Sequence, residues 1–178
     1  GCDVKPKPPR TADGQVVRTV AVNLEDPEEV AAVERLGEAT VAYEHALMVL
    51  RAHYERIGAL DEEMWATAEL ANLREAQTFT FAGVAAPPEP PPVSLEEANE
   101  AFLVEQVLSA RKAWKQALAD LEALYAERGV GFKVAMVKSV QRRFDPVHAY
   151  SYILTAEVPP ADLRPTVVAP EAEALFEE

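Results

Sequence analysis

Between Asp26 and Gly58 the positions Val33, Leu36, Thr40, Tyr43, Leu47, Leu50, Tyr54 and Ile57 fall alternately three and four residues apart. That spacing averages 3.5 residues, so the side chains line one stripe of an α-helix and cannot share one face of a strand. The ends of the segment agree. Asp26-Pro27-Glu28-Glu29 offers a side-chain cap, a proline in the first turn and carboxylates at the positive end of the dipole, and Gly58 is a suitable stop. A helix over this stretch is a rod of about 48 Å at 1.5 Å per residue. A seam that long has to be buried against something.

A partner lies further along the chain. Ser94 and Glu97 have capping-box spacing, and Leu103, Val107, Ala110, Trp114, Ala117, Leu121 and Leu124 repeat the four-three rhythm up to Gly129. A shorter helix is expected over Asp61–Gln77, with Met64, Trp65, Ala68, Leu70 and Leu73 available for burial. Pro87-Pro88-Glu89-Pro90-Pro91-Pro92, inside a spacer over 85–93, excludes helix and favours polyproline II. The long helices can be overlaid with Tyr43 on Trp114 and Gly58 on Gly129, a match that any two Ala/Leu/Glu-rich heptad helices would give as well.

Extended segments are fewer. Gln15–Leu24 is rich in β-branched residues, Thr78–Phe81 reads as briefly extended, and Tyr150, Tyr152, Leu154, Ala156 and Val158 alternate as a strand does. Residues 130–143 fit a strand and a helical face about equally. The expected fold is therefore mainly α: a helical hairpin or three-helix bundle with long heptad helices, packed against a small antiparallel sheet. The expected organisation is a tether over 1–14, one domain over 15–158 and an extended arm over 159–178.

Gly1-Cys2-Asp3 carries the sole cysteine of the chain and leads into the stiff polar stretch Lys5-Pro6-Lys7-Pro8-Pro9-Arg10. This resembles the lipidation site of bacterial lipoproteins, in which a small residue precedes a cysteine that receives diacylglycerol. The resemblance implies that Cys2 is the lipid-attachment residue and that the protein sits outside the cytoplasmic membrane. Asp3 resembles the signal that retains such proteins at the inner membrane in enteric bacteria. Two or more acyl chains, each methylene contributing about 0.8 kcal/mol, would hold a protein at a bilayer stably. An anchor would matter here, because the net charge of -13 repels anionic head groups as well as nucleic acid. No apolar run approaches the roughly 18 residues that a spanning helix needs.

Motifs for chemistry are sparse. Gly129 and Gly131 lack the further glycines and the GK[ST] ending of a phosphate loop, and no G-x-S-x-G or H-E-x-x-H occurs. His45 and His53 would stand about 12 Å apart along one helix, too far to share a metal. His148 lies three residues from Asp145, where Asp145-Pro146 reads as a turn or helix start. The acidic clusters sit where helix N-termini account for them. Lys133, Lys138, Arg142 and Arg143 give positive charge between Val130 and Phe144, a candidate surface for a partner. The expectation is a lipid-anchored, non-catalytic accessory or scaffolding subunit of a membrane-associated complex, acting through other protein subunits and using no cofactor or metal. The alternative is a soluble extracytoplasmic ligand-binding domain.

Overall fold

The computed structural model describes residues 17–95 and 99–144. Its elements run β1 (Arg18–Ala21), α1 (Pro27–Ile57), α2 (Leu60–Ala76), β2 (Phe79–Ala82), α3 (Glu100–Glu127) and α4 (Gly131–Arg143). The tether over 1–14 with Cys2, the expected strand Tyr150–Val158 and the arm over 159–178 lie outside the described residues.

The helix α1 starts and stops as its sequence dictates. The Asp26 carboxylate accepts from the backbone N–H groups of Glu28 and Glu29 at 3.1 and 3.3 Å. Gly58, at φ 74°, takes the left-handed conformation that ends the helix at little steric cost. The turn is tight, so α2 folds straight back along α1. The α1 seam is buried at Val33, Leu36, Tyr43, Leu47, Leu50 and Tyr54, whereas Thr40 is half-buried and Ile57 emerges into solvent at the tip. In α2 the buried positions are Ala66, Glu69, Leu70, Leu73 and Ala76, and Met64 and Ala68 face outward.

The helix α3 packs antiparallel to α1 and makes the largest interface of the bundle. It begins later than expected. Ser94 lies outside any helix, and Asn99, in extended conformation, accepts from Ala101 N–H at 2.9 Å and supplies the cap. Leu103, Val107, Trp114 and Leu121 are buried as expected, but between them the stripe is rotated by one residue, with Arg111, Leu118 and Tyr125 buried and Ala110, Ala117 and Leu124 at its margin. The rotation places the larger side chains inward, at the cost of drawing one arginine into the core.

Two expectations about the remainder are corrected or resolved. The sheet is parallel, not antiparallel: Arg18 pairs with Phe79 and Ala21 with Ala82. A parallel pair needs a long crossover, and here the whole α1–α2 hairpin provides it. Residues 131–143 are helical: Lys133, Val137 and Val140 form a buried stripe that continues to Phe144, and they close α4 onto α3 and α2.

Between β2 and α3 the proline segment runs as a strap along α1. The Pro87 ring passes Gly37, where an added Cβ would lie 3.6 Å from its Cγ, and the Leu95 carbonyl accepts from Arg56 Nη1 at 2.8 Å. From Gly37 to Arg56 the helix covers about 28 Å, and eight residues of polyproline II cover about 25 Å. The strap therefore runs close to full extension between these two contacts, and the long Arg56 side chain spans the remaining few ångströms to Leu95.

Candidate functional site

Three tyrosine–glutamate contacts join the helices at successive heights. In the middle, Tyr43 of α1 donates its hydroxyl to the Glu69 carboxylate of α2. Arg111 of α3 donates through Nε to Tyr43 Oη at 2.9 Å and to Glu69 Oε1 at 2.8 Å, and Nη2 bonds the same carboxylate. Glu69 is 1% exposed and Arg111 4%, so charge meets charge inside the core. Burial, and then the adjacent Glu69 charge, push the Tyr43 hydroxyl well above the ordinary tyrosine range. The Tyr43 ring rests against Trp114 at 5.9 Å and Phe144 at 6.2 Å between centroids, and these two rings meet edge to face at 4.8 Å. Beside them Lys115 lies 5.7 Å from the Phe144 ring, its ammonium lowered by burial and by the neighbouring Arg111 charge.

At the lower end the same arrangement recurs with lysine in place of arginine. Tyr125 of α3 donates to Glu29 Oε1 at 3.1 Å, and Lys133 of α4 pairs with the same oxygen while donating to the Ala21 carbonyl of β1 at 2.9 Å. The other Glu29 oxygen accepts from Asn23 N–H at 3.3 Å. Lys133 also stands 5.0 Å from the Tyr125 ring centroid, within reach of the π face. One carboxylate thus ties together α1, α3, α4 and the strand end. At the upper end Tyr54 donates to Glu100 at 3.1 Å. Burial raises both the Tyr125 and the Tyr54 hydroxyls, with Glu29 and Glu100 respectively adding to the effect. On the surface nearby, Arg128 bonds the capping Asp26 at 3.0 Å and lowers its carboxyl, while also pairing with Glu28.

The chemistry available to such units is to specify geometry. Each buried carboxylate is held by a tyrosine hydroxyl and a cation, and breaking such a set leaves a charge without compensation. Among the described residues, no group of three or more His, Cys, Asp or Glu could hold a metal ion, and no helix is long and apolar enough to cross a membrane.

The basic residues singled out from sequence are not gathered on one face. Lys133 is turned inward to Glu29, Lys138 bonds Glu122 of α3 at 3.3 Å, Arg142 reaches the Lys138 carbonyl at 3.3 Å, and Arg143 bonds the Glu75 carbonyl of α2 at 3.1 Å. Lys133, Lys138 and Arg143 fasten α4 to its neighbours, whereas Arg142 bonds within α4. His53 is buried with Nδ1 3.3 Å from Arg56 Nη2, and His45 Nε2 is buried with no hydrogen-bond partner among the described residues. Cys2, Asp145 and His148 fall outside the described residues. Sequence reasoning missed Glu29, Glu69 and Arg111. Arg111 carried a signal: it falls in the rhythm Val107, Arg111, Trp114, a charged residue on an apolar repeat.

The open feature of the bundle is a groove of about 860 Å³ between α1 and α3, with the strap residues Pro88–Pro92 as its third wall. Val41, Ala42, Ala46 and Val49 face it from α1, and Phe102, 55% exposed, stands with Ala110 and Ala113 on the α3 side. Two further clefts lie beside the sheet, about 630 Å³ between β2, the strap and α1, and about 770 Å³ between β1 and the exposed Phe132 of α4.

The chain matches no protein-family model, no curated protein and no solved structure. The geometry of the bundle and its groove therefore carries the functional reading.

Two outcomes follow from the clasps. Glu69→Leu strands the Arg111 charge in the core and should cost about 3–5 kcal/mol in urea unfolding, and adding Arg111→Met should restore most of the loss. If the double variant is no more stable than the single, the pair is not acting as a unit. Raised tyrosine pKa values give a signed pH dependence. Their stabilisation is complete below about pH 10, where free tyrosine is protonated, and is lost as pH rises above it, because only the unfolded chain then releases the protons. Tyrosinate absorbance from Tyr43, Tyr54 and Tyr125 should appear together with loss of helical circular dichroism. Titration of all three at pH 10 with the helices intact would contradict the burial.

Proposed function

We infer that this protein is a lipid-anchored accessory or scaffolding subunit of a larger assembly on the outer side of a bacterial cytoplasmic membrane, working by protein–protein contact and not by catalysis. The observation that carries the contact part is the α1–α3 groove, an elongated apolar surface with an exposed phenylalanine on a bundle whose buried charges hold the helices in register. Pairing supports the non-catalytic part. The buried Glu29 and Glu69 are held by Tyr125 with Lys133 and by Tyr43 with Arg111, an arrangement suited to fixing a shape. Placement rests on the Gly1-Cys2-Asp3 resemblance, with the proline-rich stretch that follows acting as a spacer between bilayer and bundle.

Intact-mass analysis of protein taken from its own membranes tests the placement. Cys2 should carry two or three acyl chains, and Cys2→Ala should move the protein from the membrane fraction to the soluble one. A photo-reactive residue in place of Phe102 should cross-link to the same neighbouring subunits in repeated preparations. An unmodified cysteine with a soluble protein would remove the anchor, and failure to cross-link from every exposed face of the bundle would remove the scaffold.

A further inference from the structure

The side of the α1–α3 pair left open by the other helices has the form of a seat for one more helix. Neither α2 nor α4 contributes a residue to the groove. Its walls run from Glu38 to Val49 on α1 and from Phe102 to Ala113 on α3, eleven residue steps each, or about 16 Å along each axis. That length matches about three turns of a helix. The floor includes Ala42, Ala46, Ala110 and Ala113, short side chains that allow another backbone to approach closely. A small apolar ligand would fit the volume but would not call for a trough this long with alanines set along both walls.

Charge narrows the occupant. The ionised side chains lining the groove are Glu38 and Glu89, and no lysine or arginine lines it. An acidic visitor would be repelled and a basic one attracted, in a chain whose net charge is already -13. His45 also lines the groove, and its buried Nε2 has no hydrogen-bond partner among the described residues.

Building on the scaffold reading, we propose that this groove receives an amphipathic helix of a partner protein, apolar along one face and lysine- or arginine-bearing along its flanks. The apolar face packs between Val41, Val49 and Phe102, and basic side chains reach Glu38 and Glu89. The strap then serves as the side wall of a helix-in-groove interface.

A synthetic peptide of about 18 residues, leucine along one helical face and lysine along the other, is the probe, titrated by fluorescence anisotropy into the full chain at about 150 mM salt. Ala42→Gln combined with Ala113→Gln fills the groove at two exposed positions without changing charge and should weaken binding about tenfold or more. Ala123→Gln, on α3 outside the groove, should change nothing. The same peptide with glutamate for lysine should bind at least about tenfold more weakly than the lysine version. Equal binding by wild type and groove variants, equal binding of the acidic peptide, or no binding at all overturns the proposal, as does tight binding of a long-chain alcohol in place of the peptide. Should the peptide fail while cross-linked neighbours are found on other faces, the groove proposal alone falls. Absence of neighbours on all faces removes the scaffold reading itself.

Discussion

The register of α1 on α3 is the constraint on which everything else in the bundle depends. Two antiparallel heptad seams can in principle slide past one another by a heptad, about 10 Å, and still bury leucine against leucine. Here the slide is blocked by chemistry. Tyr54 meets Glu100 near one end, Arg111 meets Tyr43 and Glu69 in the middle, and Tyr125 meets Glu29 near the other. In a shifted register Arg111 and Glu29 would be buried without their partners, a penalty larger than most single substitutions impose. The apolar seams supply most of the stabilisation and the polar contacts choose the alignment.

The other elements follow from that alignment. Because α3 runs antiparallel to α1, the chain leaving β2 has to travel back along the bundle before α3 can begin, and the proline strap makes that passage along α1. With α3 in place, Tyr125 and Lys133 converge on Glu29, which brings α4 against the end of β1. The two-stranded sheet is secured at that point by a lysine reaching the Ala21 carbonyl. The groove is the face of the α1–α3 pair that neither α2 nor α4 reaches.

Much of this was legible in the sequence and some was not, for definable reasons. The α1 boundaries could be read because Asp26 and Gly58 act locally, through a cap and a left-handed turn. The seam of α1 was read nearly residue for residue, since its period is strict. In the α3 stripe Leu103, Val107, Trp114 and Leu121 were legible, whereas the alanines at 110 and 117 suit either side, and there the choice was made by Arg111 finding Glu69 on a different helix. No single-segment pattern contains that information. Both strands fall in segments read as extended, Gln15–Leu24 and Thr78–Phe81, but their relative direction depends on what lies between them. Residues 130–143 were ambiguous because Val130, Val134, Val137 and Val140 fit a helix while Phe132, Val134 and Met136 fit a strand. Contact with α3 and α2 settles the matter. The basic cluster was visible as composition, yet its side chains point in separate directions, which composition does not encode. The groove was not foreseen, since it joins three segments distant in the chain.

A bundle with its buried carboxylates paired off and an apolar trough left open between α1 and α3 is a shape suited to holding a neighbour. That view stands or falls with the antiparallel register, which distances between spin labels test most directly. In a Cys2→Ser background, labels at the exposed positions Glu55 and Ala101 should lie close together, and moving the second label to the exposed Ala123 should add about 33 Å along the bundle axis. A short distance from Glu55 to Ala123, or broad distributions for both pairs, would contradict the alignment on which the clasps, the strap and the groove are built.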